Sequence, residues 1–162
     1  MLQFRKAKIS DIEVLRSLAK EIWFSAYKDL LSVEQINYML DMMYSSEVIE
    51  KEISDNILWE IMEINQVPVG LISVIFKNNE AKLNKLYLKD QFQGKGFGQF
   101  ALSHVIEVSR LNKSQRLYLN VNKQNEKGIK AYEKMGFKLI DSGVFDIGNG
   151  YVMDDFIYSL IL

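Results

Sequence analysis

The chain has 162 residues, 48% hydrophobic and 25% charged, the ordinary mix of one globular domain large enough to bury its own core. Its 20 Lys and Arg against 21 Asp and Glu leave a net charge of -1, which argues against a dedicated partner of nucleic acid or of an anionic membrane. Cysteine is absent, so a disulfide framework, a cysteine-ligated zinc site and a thiol nucleophile are excluded.

No signal peptide is visible after Met1-Leu2-Gln3-Phe4-Arg5, and no apolar run approaches the roughly 18 residues that span a bilayer. A cytoplasmic protein is the expectation. With one proline, Pro68, and no Ser/Gly/Pro-rich linker or repeat, residues 1–162 read as a single domain with no metal site.

A short strand is expected at 2–6. Ser10-Asp11-Ile12-Glu13 reads as a capping box, and Ile12, Leu15, Leu18, Ala19, Ile22 and Trp23 recur at helical spacing, giving a helix over 11–27. Ser32 with Gln35 repeats the signal and opens a second helix through Ile36, Met39, Leu40 and Met43; a short third helix covers about 47–53. The period then changes. Strands at 57–64, 67–76 and 81–88 are separated by Asn65-Gln66 and Asn78-Asn79, the pattern of an antiparallel meander. A helix from the glycine-rich segment to about 110, a strand at 116–121 and a helix over 126–135 ending at Gly136 follow. Strands at 137–147 and 151–160 flank Asn149-Gly150, a strong hairpin signal. The sum is a mixed α/β sheet with helices on its faces.

Gln91-Phe92-Gln93-Gly94-Lys95-Gly96-Phe97-Gly98 lies between a strand and a helix. Glycines let backbone approach a ligand, and the N–H groups of a turn continued by a free helix N-terminus suit a pyrophosphate. A Walker A loop needs Ser or Thr after Lys95, where Gly96 stands; a dinucleotide fingerprint needs glycine where Gln99 stands. Both fail, leaving a different phosphate loop or a tight connection.

Gln93-x-x-Gly96-x-Gly98, preceded by Leu86-Tyr87-Leu88, resembles the acetyl-CoA pyrophosphate loop of GNAT acetyltransferases. Asn125-x-x-Gly128-x-x-x-Tyr132-x-x-x-Gly136-Phe137 resembles the second cofactor motif of that family, at the family's spacing. The stretch 31–40 and the ending Tyr151-Val152-Met153-Asp154-Asp155-Phe156 look like a bacterial subgroup that includes PaiA-type polyamine acetyltransferases. Gly128 departs from the alanine usual in the family.

The resemblance implies a mainly antiparallel, seven-stranded mixed sheet flanked by helices on both faces. It implies direct transfer of the acetyl group of acetyl-CoA to a primary amine of a small molecule, polyamine or peptide, without an acyl-enzyme. A protein acetyltransferase and a non-catalytic acyl-CoA sensor are the alternatives. Tyr132 is the candidate general acid for the CoA thiolate, a tyrosine hydroxyl having a reference pKa of about 10; its helical spacing with Ile129 and Met135 equally suits a core residue. The cofactor set implied is Leu86, Tyr87 and Leu88 through their backbone, Gln93, Gly94, Lys95, Gly96, Phe97 and Gly98 at the pyrophosphate, and Asn125, Tyr132 and Lys134. Asn125 also reads as an N-cap. Pantetheine would enter where the 81–88 strand splays from the 116–121 strand, and an N–H near Leu88 would polarise the thioester carbonyl. The acceptor would meet Trp23, Tyr27 and Asp29, with Asn84 facing it. No general base is evident: Glu60, Glu63 and Glu80 are candidates through a water, each more in keeping with a surface carboxylate, and His104 reads as a helix-face residue. Asp154 and Asp155 adjoin on a strand and so point to opposite faces. A homodimer follows family habit.

Overall fold

A computed structural model describes all 162 residues. Its elements are β1 (Leu2–Lys6), α1 (Ile12–Tyr27), α2 (Val33–Tyr44), α3 (Ser46–Ser54), β2 (Leu58–Ile64), β3 (Val67–Lys77), β4 (Glu80–Leu88), α4 (Phe97–Leu111), β5 (Arg116–Asn122), α5 (Glu126–Lys134), β6 (Lys138–Gly148) and β7 (Tyr151–Ile161). The strands form one seven-stranded sheet in the order β1-β2-β3-β4-β5-β7-β6. Only β4 and β5 pair in parallel among the ladders β1-β2, β2-β3, β4-β5, β5-β7 and β6-β7. That is the mixed, mainly antiparallel sheet the sequence led one to expect.

The three turn signals act through backbone conformation. Asn65 and Gln66, Asn78 and Asn79, and Asn149 and Gly150 all have positive φ at both positions, the requirement of a tight hairpin whose twist matches its strands. Gly136, with φ +95, ends α5 as anticipated.

The start of α1 differs from expectation. Ile9–Asp11 form a 3-10 turn and Ser10 caps nothing; instead the Asp11 carboxylate accepts the Lys8 backbone N–H at 2.8 Å. Asp11 is held there by the Arg5 guanidinium at 2.9 Å, which also binds Glu63 at 3.0 Å. A charged, two-pronged partner on β1 outcompetes a neutral serine cap. Ser32 does cap α2, its hydroxyl accepting from the Gln35 N–H at 3.1 Å, and Ser45 caps α3 in the same way.

Contacts divide the chain into two compact units, residues 1–74 with 85–98, and residues 75–84 with 99–162. The core of the first is built on Leu15, Ile36, Ile49, Trp59, Ile61, Met62, Leu71 and Ile72, none more than 1% exposed. Each such side chain contributes about 1.5–3 kcal/mol by burial. Pro68 sits beside a bulge between Met62 and Glu63, where the ladder is already interrupted and a missing N–H costs little. Gly70 is required by close approach: a Cβ there would fall on the Tyr87 carbonyl. In the second unit Ala81, Leu102, Leu117 and Leu119 are buried, and β6 is an exposed edge strand.

Candidate active site

In the first unit β4 ends at Leu88 and a short 3-10 turn, Asp90–Phe92, leads into the glycine segment and α4. Gln93 donates its side-chain amide to the Leu88 carbonyl at 3.1 Å, tying the loop to the strand end. Gly94 and Gly96 have φ +72 and +86, conformations that side chains rarely adopt, and nothing lies within 4 Å of where a Cβ would stand. Gly98 has an ordinary φ and opens α4, its would-be Cβ 3.9 Å from Leu88 Cδ1. Gly94, Lys95, Gly96 and Gly98 are exposed, and Phe92 packs against Phe97 with ring centroids 6.4 Å apart. The result is an open backbone cradle at the N-terminus of a 15-residue helix, suited to a doubly charged pyrophosphate.

Around α1 and α2, Trp23 is buried at 2% exposure, its indole N–H donating to the Tyr44 hydroxyl at 3.3 Å and its ring packed on Tyr27 and Tyr87. Trp23 is therefore core, while Tyr27 is half-buried and Asp29 exposed in the turn after α1. Burial pushes the Tyr44 hydroxyl well above its ordinary range. Lys85 is buried on β4 with its ammonium 4.9 Å from the Trp59 ring and 5.2 Å from that of Tyr44, a cation–π arrangement absent from the sequence reading. A groove of about 370 Å³ between α1 and the start of β3, lined by Glu13, Glu21, Pro68 and Lys89 among others, contains none of the anticipated residues.

In the second unit the β4-β5 ladder runs from Glu80↔Arg116 to Leu83↔Leu119 and no further, although β5 continues to Asn122 along β7. Asn84 is the next residue of β4 and is half-buried. Asn125 caps α5, its side chain accepting the Gly128 N–H at 2.9 Å. A Cβ at Gly128 would come within 2.7 Å of the Asn125 side-chain amide, so a larger residue there requires the capping side chain to shift. Tyr132 is half-buried against Phe137, ring centroids 5.8 Å apart, and Lys134 is exposed in the last turn. His104 is a half-buried residue of α4.

The carboxylates considered as bases fare unequally. Glu63 is bound to Arg5, and Glu80 to Arg116 at 2.9 Å. Glu60 is buried rather than on the surface: both faces of β2 are covered here, Trp59 and Ile61 on one and Glu60 with Met62 on the other. Asp154 and Asp155 do point apart: Asp154 meets Lys123 at 2.6 Å, while Asp155 is 2% exposed.

Residues 12–137 match the model of the acetyltransferase (GNAT) family. The chain belongs to that family. It is 27% identical over 158 residues to a spermidine N(1)-acetyltransferase of Thermoplasma acidophilum, covering 94% of this chain and 96% of that one. A peptidyl-lysine N-acetyltransferase of Salmonella typhimurium is 29% identical over 132 residues, 78% of this chain and 84% of its own length. The PaiA N-acetyltransferase of Thermoplasma acidophilum, solved with coenzyme A, superposes with a TM-score of 0.86 at 29% identity over 100% and 99% of the two chains. This acetyltransferase is thus an acetyl-CoA-dependent enzyme that acetylates amines, and acetyl-CoA is its donor. No helix is long and apolar enough to cross a membrane.

Proposed function

We propose that this acetyltransferase transfers the acetyl group of acetyl-CoA to a primary amine of a polyamine, in a ternary complex, within a single domain. The observation that carries the acceptor class is the similarity along 94% of the chain to a spermidine N(1)-acetyltransferase. In this reading the pyrophosphate lies on residues 93–98, with Leu86, Tyr87 and Leu88 offering backbone to pantetheine. Asn125 and Lys134 complete the cofactor contacts, and Tyr132 gives its hydroxyl proton to the departing sulfur. Tyr27, Asp29 and Asn84 meet the acceptor. The similarity to a peptidyl-lysine N-acetyltransferase supports a second acceptor class, the side chain of a protein lysine.

Thermal unfolding with acetyl-CoA, CoA and ATP tests the donor. A ligand at 100 times its dissociation constant adds about 2.7 kcal/mol, on the order of 5–10 °C here. Release of CoA in the presence of spermidine, spermine or N-acetyl-lysine amide then separates the acceptors. A shift with CoA but no turnover of any amine would make the protein a sensor. Tyr132→Phe lowers turnover by about 10²-fold or more if the acid assignment holds; unchanged turnover rejects it.

We place the protein in the cytoplasm, where acetyl-CoA is made and used, without nucleic-acid or membrane partners, and as a homodimer. Leu139, Ile140 and Val144 of the edge strand β6 are half or more exposed. Antiparallel pairing of two β6 strands about Ser142 sets Lys138 against Asp146 and Leu139 against Phe145, covering that edge with opposite charges matched. Sedimentation at micromolar concentration should give the mass of two chains, and Val144→Lys should give one.

A further inference from the structure

The proposed reaction lacks a group to take the amine's proton, and the second unit supplies one. On β7 the side chains alternate, so Asp154 reaches Lys123 while Asp155 turns to the opposite face, 2% exposed. Its neighbours there are fixed by register. Asn122 stands directly across on β5, and Asn120, two residues back on the same face, hydrogen-bonds the carboxylate. Lys82 pairs across from Tyr118 on that face as well, and Asn84 follows it by two residues. One oxygen of Asp155, Oδ1, is buried with no hydrogen-bond partner. A buried carboxylate oxygen left unpaired is costly, and such groups persist where they have work to do.

Its height along the sheet matters equally. The β4-β5 ladder stops at Leu83↔Leu119, and Asn120, the next residue of β5, is the one that reaches Asp155. The carboxylate therefore lies where the parallel strands cease to pair. The helix carrying Tyr132 lies over the other face of β7, where the Tyr158 hydroxyl meets Glu133 at 3.5 Å and Leu160 lies under Gly136. A thioester at the end of the β4-β5 ladder could thus receive a nucleophile from one face and release its sulfur toward the other.

We infer that Asp155 is the proton acceptor for the attacking amine, with Asn120 and Asn84 lining the same approach. The inference rests on the acetyl-transfer reading above. Asp155 takes a proton from the ammonium and passes it to solvent; the freed nitrogen lone pair forms the C–N bond as the C–S bond breaks. The sulfur takes its proton from Tyr132, and the proton that nitrogen sheds on becoming an amide restores the tyrosine through water. The balance is one proton released per acetyl group moved. Burial first, then the nearby Asp154, raises the Asp155 carboxyl above its ordinary range, against the Asn120 hydrogen bond and the charges of Lys82 and Lys123. A base so tuned is stronger than a surface carboxylate.

The test compares wild type, Asp155→Asn and the control Asp154→Asn with spermidine as acceptor from pH 6 to 10. Asp155→Asn should keep the thermal shift with acetyl-CoA and lose 10²-fold or more in kcat/KM at pH 7. The loss should shrink as pH nears the amine's own pKa of about 10, where the amine arrives already neutral. Asp154→Asn should stay within about twofold of wild type. A loss equal at every pH, no loss, or a vanished acetyl-CoA shift overturns the role of Asp155 alone. A wild type that binds acetyl-CoA yet turns over no amine removes the functional reading, and this inference with it.

Discussion

The side-chain amide of Gln93 and the carbonyl of Leu88 meet at 3.1 Å, so the residue that opens the glycine loop is anchored to the strand before it. Gln93 thereby sets the height of the loop relative to β4. Gln93→Leu removes the donor and frees the loop, at a cost of about 1 kcal/mol. CoA affinity should fall several-fold, measured by calorimetry, and Tm should fall by roughly 2–4 °C. Gln93→Glu adds a negative charge beside the pyrophosphate site and should weaken binding further. Equal affinity in all three proteins would show that the tether is irrelevant to the cofactor.

The three loop glycines should separate by mechanism. Gly94 and Gly96 need positive φ and have free space around them, so Gly96→Ala strains only the backbone, by about 1–2 kcal/mol. It should lower Tm and CoA affinity together. Gly98 has an ordinary φ and lies at the start of α4, where alanine suits the helix. Gly98→Ala should keep or raise Tm while losing CoA affinity, because only the approach of ligand to backbone is obstructed. A Gly98→Ala protein that binds CoA like wild type would place the phosphates elsewhere.

Gly128 shows how a family departure carries a local reason. Alanine there adds helix propensity, less than the ~1 kcal/mol of a helix interior. It also pushes a methyl into the Asn125 cap, which contributes about 0.5–2 kcal/mol. Gly128→Ala alone should be neutral or destabilising, while in an Asn125→Ala background the same change should stabilise. That reversal of sign, read by denaturant unfolding, distinguishes the clash from a propensity effect.

Much of this was legible in the sequence because local chemistry decided it. The hairpins at Asn65-Gln66, Asn78-Asn79 and Asn149-Gly150, the Ser32 cap and the Gly136 stop each depend on residues within a few positions. What was missed depends on contacts that no local motif announces. Ser10 lost its cap because Arg5 and Lys8 converge on Asp11, and Trp23 was drawn into the core by Tyr44 and Tyr87. Lys85 between Trp59 and Tyr44 has no local signal at all. Asp155 was half visible: alternation separated it from Asp154, but only the β5-β7 register shows which face is buried.

The Asp11 carboxyl is held below its ordinary range, first by the Arg5 hydrogen bond and also by the Lys8 N–H, against the opposing effect of burial. Its folded pKa therefore lies below the unfolded value of about 3.9. The contribution to stability is complete above pH 5 and is lost as pH falls through the folded pKa. With Arg5 40% exposed, water and salt screen the pair, and the contribution is on the order of 1 kcal/mol. Asp11→Asn should lose that amount at pH 7 and show a shallower decline in unfolding free energy between pH 5 and 2. A parallel decline would mean that other carboxylates govern acid unfolding.

Asp155 should behave oppositely. Its folded pKa is raised, so the unfolded chain ionises first as pH climbs, and stability is lost across the window from about 3.9 up to the folded value. Within that window the burial of the charge lowers the stability of the fold. Asp155→Asn removes the charge while keeping the shape, and should raise Tm at pH 7 by roughly 2–4 °C, or about 1 kcal/mol. At pH 3, where the wild-type group is protonated in both states, the two proteins should unfold at the same temperature. A variant less stable than wild type at pH 7 would mean that Asn120 and Lys82 hold the carboxylate as a structural anion, and that its burial stabilises the sheet instead of taxing it.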